Sequence, residues 1–140
     1  MSPFAHYLHE LRLKHVIRQT ELAEMLGYEQ SYISALEIGT KGPPTPEFLA
    51  KLARAFEMDD AERRELEQIA EASQRKLALD TESPQGLYWM LYELRQQVDK
   101  LHPAQVQMIR DILKLKGSLM HPEPEPLRRI KRRRREEATM

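Results

Sequence analysis

The stretch Gln19-Thr-Glu-Leu-Ala-Glu-Met-Leu-Gly27, followed after Tyr28 and Glu29 by Gln30-Ser-Tyr-Ile-Ser-Ala-Leu-Glu-Ile38 and Gly39, decides the fold. Leu22, Ala23 and Leu26 share one face of a helix, and so do Ile33 and Leu36 of the next. Gly27 suits the left-handed residue that ends a helix, and Gly39 stands at the end of the second. Two short helices joined by so tight a turn lie at a large angle, which leaves the second one protruding.

Upstream, Ser2 and Pro3 read as an N-cap oxygen followed by a proline in the first turn, opening a helix that runs to about Lys14. Phe4, Leu8 and Leu11 form its inward face. Downstream, a loop from Thr40 to Pro44 leads to Thr45 as N-cap and Pro46 at the first position of a fourth helix, with Phe48, Leu49, Leu52, Ala53 and Phe56 closing over the core. A fifth helix is expected from Asp60 to about Arg75, with Leu66 and Ile69 inward and an acidic first turn of Asp59, Asp60 and Glu62. Residues 1–76 therefore read as one helical domain.

The pattern lapses over residues 77–84, where Asp80 to Pro84 is polar and ends in a residue that resists helix, so this segment reads as a hinge. Leu87, Leu91, Leu94, Val98 and Leu101 then alternate steps of four and three, a helix-packing seam. His102-Pro103 turns the chain into a further helix carrying Val106, Ile109, Ile112, Leu113 and Leu115. Residues 85–116 read as a helical hairpin whose apolar area exceeds what two helices enclose, which marks the Leu87 to Leu101 seam as a dimerisation surface. Residues 117–140, with His121-Pro-Glu-Pro-Glu-Pro126 and the basic run Arg128 to Arg135, read as a proline-rich, basic, flexible tail. Solvated disorder is the default reading of that tail, with a nonspecific nucleic-acid arm close behind.

The chain of 140 residues has no net charge, but the signs are segregated: residues 1–58 carry 6 bases and 7 acids, 59–83 carry 4 and 8, and 127–140 carry 7 and 2. A partner that is an anion must be held by a few placed groups and helix ends, because the N-terminal segment has no positive excess. Without cysteine, disulfides and thiolate chemistry are excluded. No apolar run approaches the roughly 20 residues that span a bilayer, and a soluble, cytoplasmic protein with no membrane partner is expected.

A protruding second helix fits the DNA major groove, and the residues from Gln19 to Gly27, Gln30 to Glu37 and Gly39 to Pro44 resemble the lambda-repressor-like, or Xre/Cro-type, helix-turn-helix family. Gln19 at the helix start, small Ala23 where the helices meet, Gly27 in the turn, Ile33 and Leu36 inward, Glu37 and Gly39 at the exit, and a proline before the fourth helix all agree with it. The resemblance covers about residues 3–58. It implies an all-α protein, a helix-turn-helix bundle followed by a helical C-terminal module, that acts as a transcriptional regulator on double-stranded DNA. It further implies that Gln30, Ser31 and Ala35 face base edges, where Gln pairs with adenine, Ser donates or accepts, and Ala meets a thymine methyl. Gln19 is then a phosphate contact, with Arg18 adding charge, and Tyr32, Ser34, Thr40 and Lys41 are similar to backbone-contacting positions. Glu29 stands at the cap of the reading helix, where a carboxylate repels DNA unless it accepts from a base such as cytosine.

Since one helix reads only a few base pairs, a homodimer on a palindromic operator, acting as a repressor, is the expected form. An antitoxin-type regulator whose C-terminal helices bind a partner protein is the alternative, and an RNA-binding or scaffold role a weaker third. Glu37 is expected to be structural, closing a local hydrogen bond or ion pair. His6, His9 and Glu10 read as a solvated face rather than a metal site, and no other histidine sits in a catalytic arrangement. No enzyme, metal or cofactor is expected. Tyr88, Trp89 and Tyr92 read as core or dimer contacts rather than a ligand pocket.

Overall fold

A computed structural model describes residues 1–115, which form α1 (Pro3–Lys14), α2 (Gln19–Leu26), α3 (Gln30–Ile38), α4 (Pro46–Ala55), α5 (Asp60–Ala72), α6 (Gln85–Gln97) and α7 (Pro103–Leu113). A 3₁₀ turn, Val98–Lys100, follows α6. There is no strand among these residues. The chain divides into two units, one ending at Leu77 and the other beginning at Ala78.

In the first unit the side chains of α1 to α5 enclose one core. Phe4, Leu8, Leu22, Leu26, Ile33, Leu36, Phe48, Leu52 and Leu66 are buried in it, while Leu11, Leu49, Phe56 and Ile69 pack at its margin. The caps are those the sequence announces: Ser2 Oγ accepts from the Ala5 N–H at 3.1 Å, and Thr45 Oγ1 from the Phe48 N–H at 3.1 Å. Asp59 accepts from the Glu62 N–H at 2.8 Å while the Glu62 carboxylate accepts from the Asp59 N–H at 3.2 Å, a reciprocal pair at the start of α5.

Helix α5 ends at Ala72, short of the Arg75 that periodicity suggests. The reason is Ser73, whose hydroxyl donates to the Ile69 carbonyl at 2.7 Å and accepts from the Phe4 N–H at 2.8 Å. That side chain satisfies backbone groups of two helices at once, and with it the chain turns out of the helix while staying fastened to α1.

In the second unit the seam does not remain one helix. The seam helix stops at Gln97, the 3₁₀ turn follows, and Leu101 and His102 are extended. Proline disfavours helical backbone at the residue before it, so Pro103 accounts for the break, and the end of the preceding helix tightens. Val98 is thereby 56% exposed instead of continuing the leucine stripe. Helices α6 and α7 do not pack along their lengths, and no side chain on either is buried. Leu87, Leu91, Leu94 and Leu101 are half-covered, whereas Tyr88, Trp89, Tyr92, Met108, Ile112 and Leu113 face outward. The readings of the tail, residues 117–140, lie outside the described residues.

Candidate nucleic-acid interface

Gly27 adopts φ +79°, its N–H and that of Tyr28 both reaching the Ala23 carbonyl at 2.8 and 2.9 Å. A side chain at that φ is strained, which explains glycine at the one position that turns the chain from α2 into α3. Helix α3 buries Ile33, Leu36 and Glu37 and leaves Gln30, Ser31 and Ile38 exposed, with Tyr32, Ser34 and Ala35 between. Its cap Glu29 makes no side-chain bond to the helix N–H groups. Instead the Glu29 carboxylate lies 3.5 Å from the Ser31 hydroxyl.

At the exit, Gly39 (φ +96°), Thr40 and Lys41 fold back onto one acceptor, the Ala35 carbonyl, through the Gly39 and Lys41 N–H groups at 2.9 and 3.2 Å and the Thr40 hydroxyl at 3.4 Å. The loop is thus held against the helix that it leaves.

Two clusters emerge from the expected DNA-facing residues. Gln30 Nε2 donates to Gln19 Oε1 at 2.7 Å, joining the first residues of α3 and α2. Ser31, Tyr32, Ala35 and Lys41 instead surround an open concavity of about 730 Å³ with Tyr28 and Glu29. Tyr28 and Tyr32 stack with centroids 5.1 Å apart, and both rings rest on Phe48. The Lys51 ammonium sits 4.7 Å from the Tyr28 centroid and 3.2 Å from Glu47. Burial, and secondarily Tyr28, raises the Tyr32 pKa above 10.0, so its hydroxyl stays protonated and able to donate. Arg18 is exposed beside Gln19, with Glu21 at 4.0 Å. Ser34 is half-buried.

Beneath α3 lies a buried carboxylate. Glu37 is only 5% exposed, and its partners come from α1: Arg12 Nε and Nη2 donate to it at 2.9 and 3.1 Å, and His9 Nδ1 lies at 2.8 Å. With its proton on Nδ1, His9 is a donor here, so its 3.4 Å approach to Arg12 Nη2 is proximity between two donors rather than a bond. Arg12 Nη1 also holds the Ile17 carbonyl at 3.0 Å. Burial pushes the Glu37 pKa up, but hydrogen bonds from Arg12 and His9, the Arg12 charge and a bond from Gln19 outweigh it and bring it below 4.5. Glu37 is therefore structural, as its position suggests, but its partners are distant in sequence rather than local. His9 is correspondingly an inward ligand of Glu37 and not part of a solvated face, while His6 and Glu10 are exposed.

Tyr28 was invisible to the motif because its role depends on stacking against Tyr32 and Phe48. Gln19 was expected at a phosphate; within the protein its amide oxygen accepts from Gln30, which ties the exposed start of α3 to that of α2.

Among the described residues no helix is long and apolar enough to cross a membrane. No curated protein and no solved structure gives a significant match to the chain. Residues 3–66 match the family model described as a helix-turn-helix domain. Over those residues the N-terminal unit is similar to helix-turn-helix domains, a likeness that suggests DNA binding, and α3 is the helix whose first residues stand exposed.

Proposed function

We propose that the chain is a cytoplasmic, homodimeric repressor of the lambda-repressor-like, Xre/Cro type, which reads a palindromic operator by placing α3 in the major groove. The observation that carries this reading is the Gln30–Gln19 bond of 2.7 Å. One Nε2 hydrogen of Gln30 is committed to Gln19, which orients the amide and leaves its second hydrogen and its carbonyl for the N7 and N6 edge of an adenine. Ser31 and Ala35 lie beside it as the further base-facing residues. Tyr32, Ser34, Thr40, Lys41, Arg18 and the N-terminus of α2, with Gln19, serve the phosphates. Glu29, uncommitted to capping, is an acceptor for a cytosine amino group and repels other sequences.

Dimerisation through Leu87, Leu91, Leu94, Val98 and Leu101, with the apolar positions of α7, accounts for α6 and α7 burying none of their side chains among the described residues. Two reading helices about 34 Å apart then meet successive turns of one DNA face. The same uncovered faces favour, as a second reading, a partner protein bound by the C-terminal helices in the manner of an antitoxin.

Selection of bound sequences from a random duplex pool tests the proposal: an enriched palindrome supports it, and no enrichment overturns sequence reading. Gln30→Ala should weaken binding to the enriched site by about 1–3 kcal/mol and leave mixed-sequence DNA unaffected. Truncation after Ser83 should give monomers by light scattering, and a persistent dimer would move the interface to the first unit.

A further inference from the structure

Arg75 lies beyond both the matched residues and the end of α5, yet it reaches back to the exit of α3. Its Nη2 donates to the carbonyl of Gly39. A Cβ built on Gly39 would stand 3.7 Å from that nitrogen. The placement is not accidental to a loose terminus: Ser73, buried and bonded to both Phe4 and Ile69, fixes the backbone two residues earlier.

Charge accounting narrows the choice around the exit of α3. Arg12 is bound to buried Glu37, and Lys51 to Glu47, so neither offers a free charge to an anion. Arg18 has Glu21 within 4.0 Å. Among the described residues no carboxylate pairs with Lys41 or Arg75, and these two flank the same turn, Gly39 to Lys41, at the end of the DNA-presenting helix. A guanidinium has five N–H donors in a planar fork, and the Gly39 carbonyl engages one nitrogen of it. The carbonyl end of a helix attracts a cation, which holds the head group in place without neutralising it.

We propose that Arg75 is a phosphate-binding residue of the DNA interface: the Gly39 carbonyl orients its guanidinium, and the remaining donors take a backbone phosphate at the rim that Thr40 and Lys41 form. The DNA-binding unit then extends to residue 75, past the helix-turn-helix match, and part of its affinity comes from a segment that the motif does not include. This rests on the reading of α3 as the DNA-facing helix.

The test uses the full chain and a fluorescein-labelled mixed-sequence duplex, with the dissociation constant measured by anisotropy over a salt series. Arg75→Gln retains a donor for Gly39 but removes the charge. It should weaken binding about tenfold at moderate salt and lower the slope of log K against log salt by about 0.9, one phosphate fewer. Arg75→Lys should keep the slope. The thermal midpoint of Arg75→Gln should match the wild type within a degree or so, which separates the effect from lost folding. An unchanged slope and affinity in Arg75→Gln would show a purely structural cap and overturn the proposal. If the wild-type chain itself fails to bind any duplex, the DNA-facing reading of α3 fails first, an outcome distinct from wild-type binding that Arg75→Gln leaves intact.

Discussion

Arg12 and Glu37, 25 residues apart in sequence, meet side-on across α1 and α3, Nε on one carboxylate oxygen at 2.9 Å and Nη2 on the other at 3.1 Å. The pair fixes α3 to the first helix of the domain. Arg12 is 14% and Glu37 5% exposed, so both charges are largely withdrawn from water and depend on each other and on His9.

Removing one member leaves the other buried and unmatched, which costs far more than an exposed pair would. Arg12→Met, which keeps the aliphatic stem, should destabilise the first unit by about 3 kcal/mol. For a domain of this size that lowers the melting temperature by roughly 15 °C, read by circular dichroism. A change of a degree or two would show that water or His9 compensates the carboxylate.

Acid should act through the same residue. The pKa of Glu37 is lowered in the folded state from 4.5, so its contribution is fully present above that value and disappears as pH falls through the lower, folded pKa. Urea unfolding of the full chain should show stability declining as pH is lowered below about 5. In Glu37→Gln this component of the decline should be absent, and an identical pH profile would assign the acid sensitivity to other carboxylates.

Ser73→Ala should show that the fold continues past residue 66. The variant strips the Phe4 N–H of its 2.8 Å acceptor in a buried setting, and such a loss costs about 1–2 kcal/mol. Urea titration with the transition followed by circular dichroism measures it. Wild-type stability in Ser73→Ala would mean that the connection from α5 to α1 is not part of the folded unit.

Val16 is the residue with most to gain from replacement. It takes φ +54° in the turn between α1 and α2, where a β-branched side chain is strained, and it is 87% exposed, so no packing offsets that strain. Val16→Gly should raise stability by about 0.5–1 kcal/mol and leave DNA affinity unchanged. A lower melting temperature in Val16→Gly would show that the left-handed torsion at Val16 stores no strain that glycine relieves.

The helices of the first unit were legible because local rules coincide there. Ser2-Pro3, Thr45-Pro46 and Asp59 with Glu62 mark helix starts, Gly27 marks a helix end, and apolar spacing names the buried face. Where one long-range contact competes with such a rule, periodicity misplaces the boundary. Ser73 ends α5 early by binding Phe4, and Pro103 breaks the seam that the leucine spacing from Leu87 onward implies. The candidate site divides in the same way: the identities of Gln30, Ser31 and Ala35 follow from the motif, but their surroundings do not.

The sequence by itself determined the number and kind of helices in the N-terminal unit, the turn at Gly27 and which face of α3 is apolar, because caps, glycine torsion and the 3.6-residue repeat act over a few neighbouring residues. Only the tertiary structure decided that Glu37 answers to Arg12 and His9, that Gln19 holds Gln30, that Tyr28 stacks on Tyr32, and that Arg75 returns to Gly39. Apart from the Tyr28–Tyr32 stack these contacts join separate helices or a helix and a distant loop, and the energies of all of them depend on burial and on direction, which no spacing encodes.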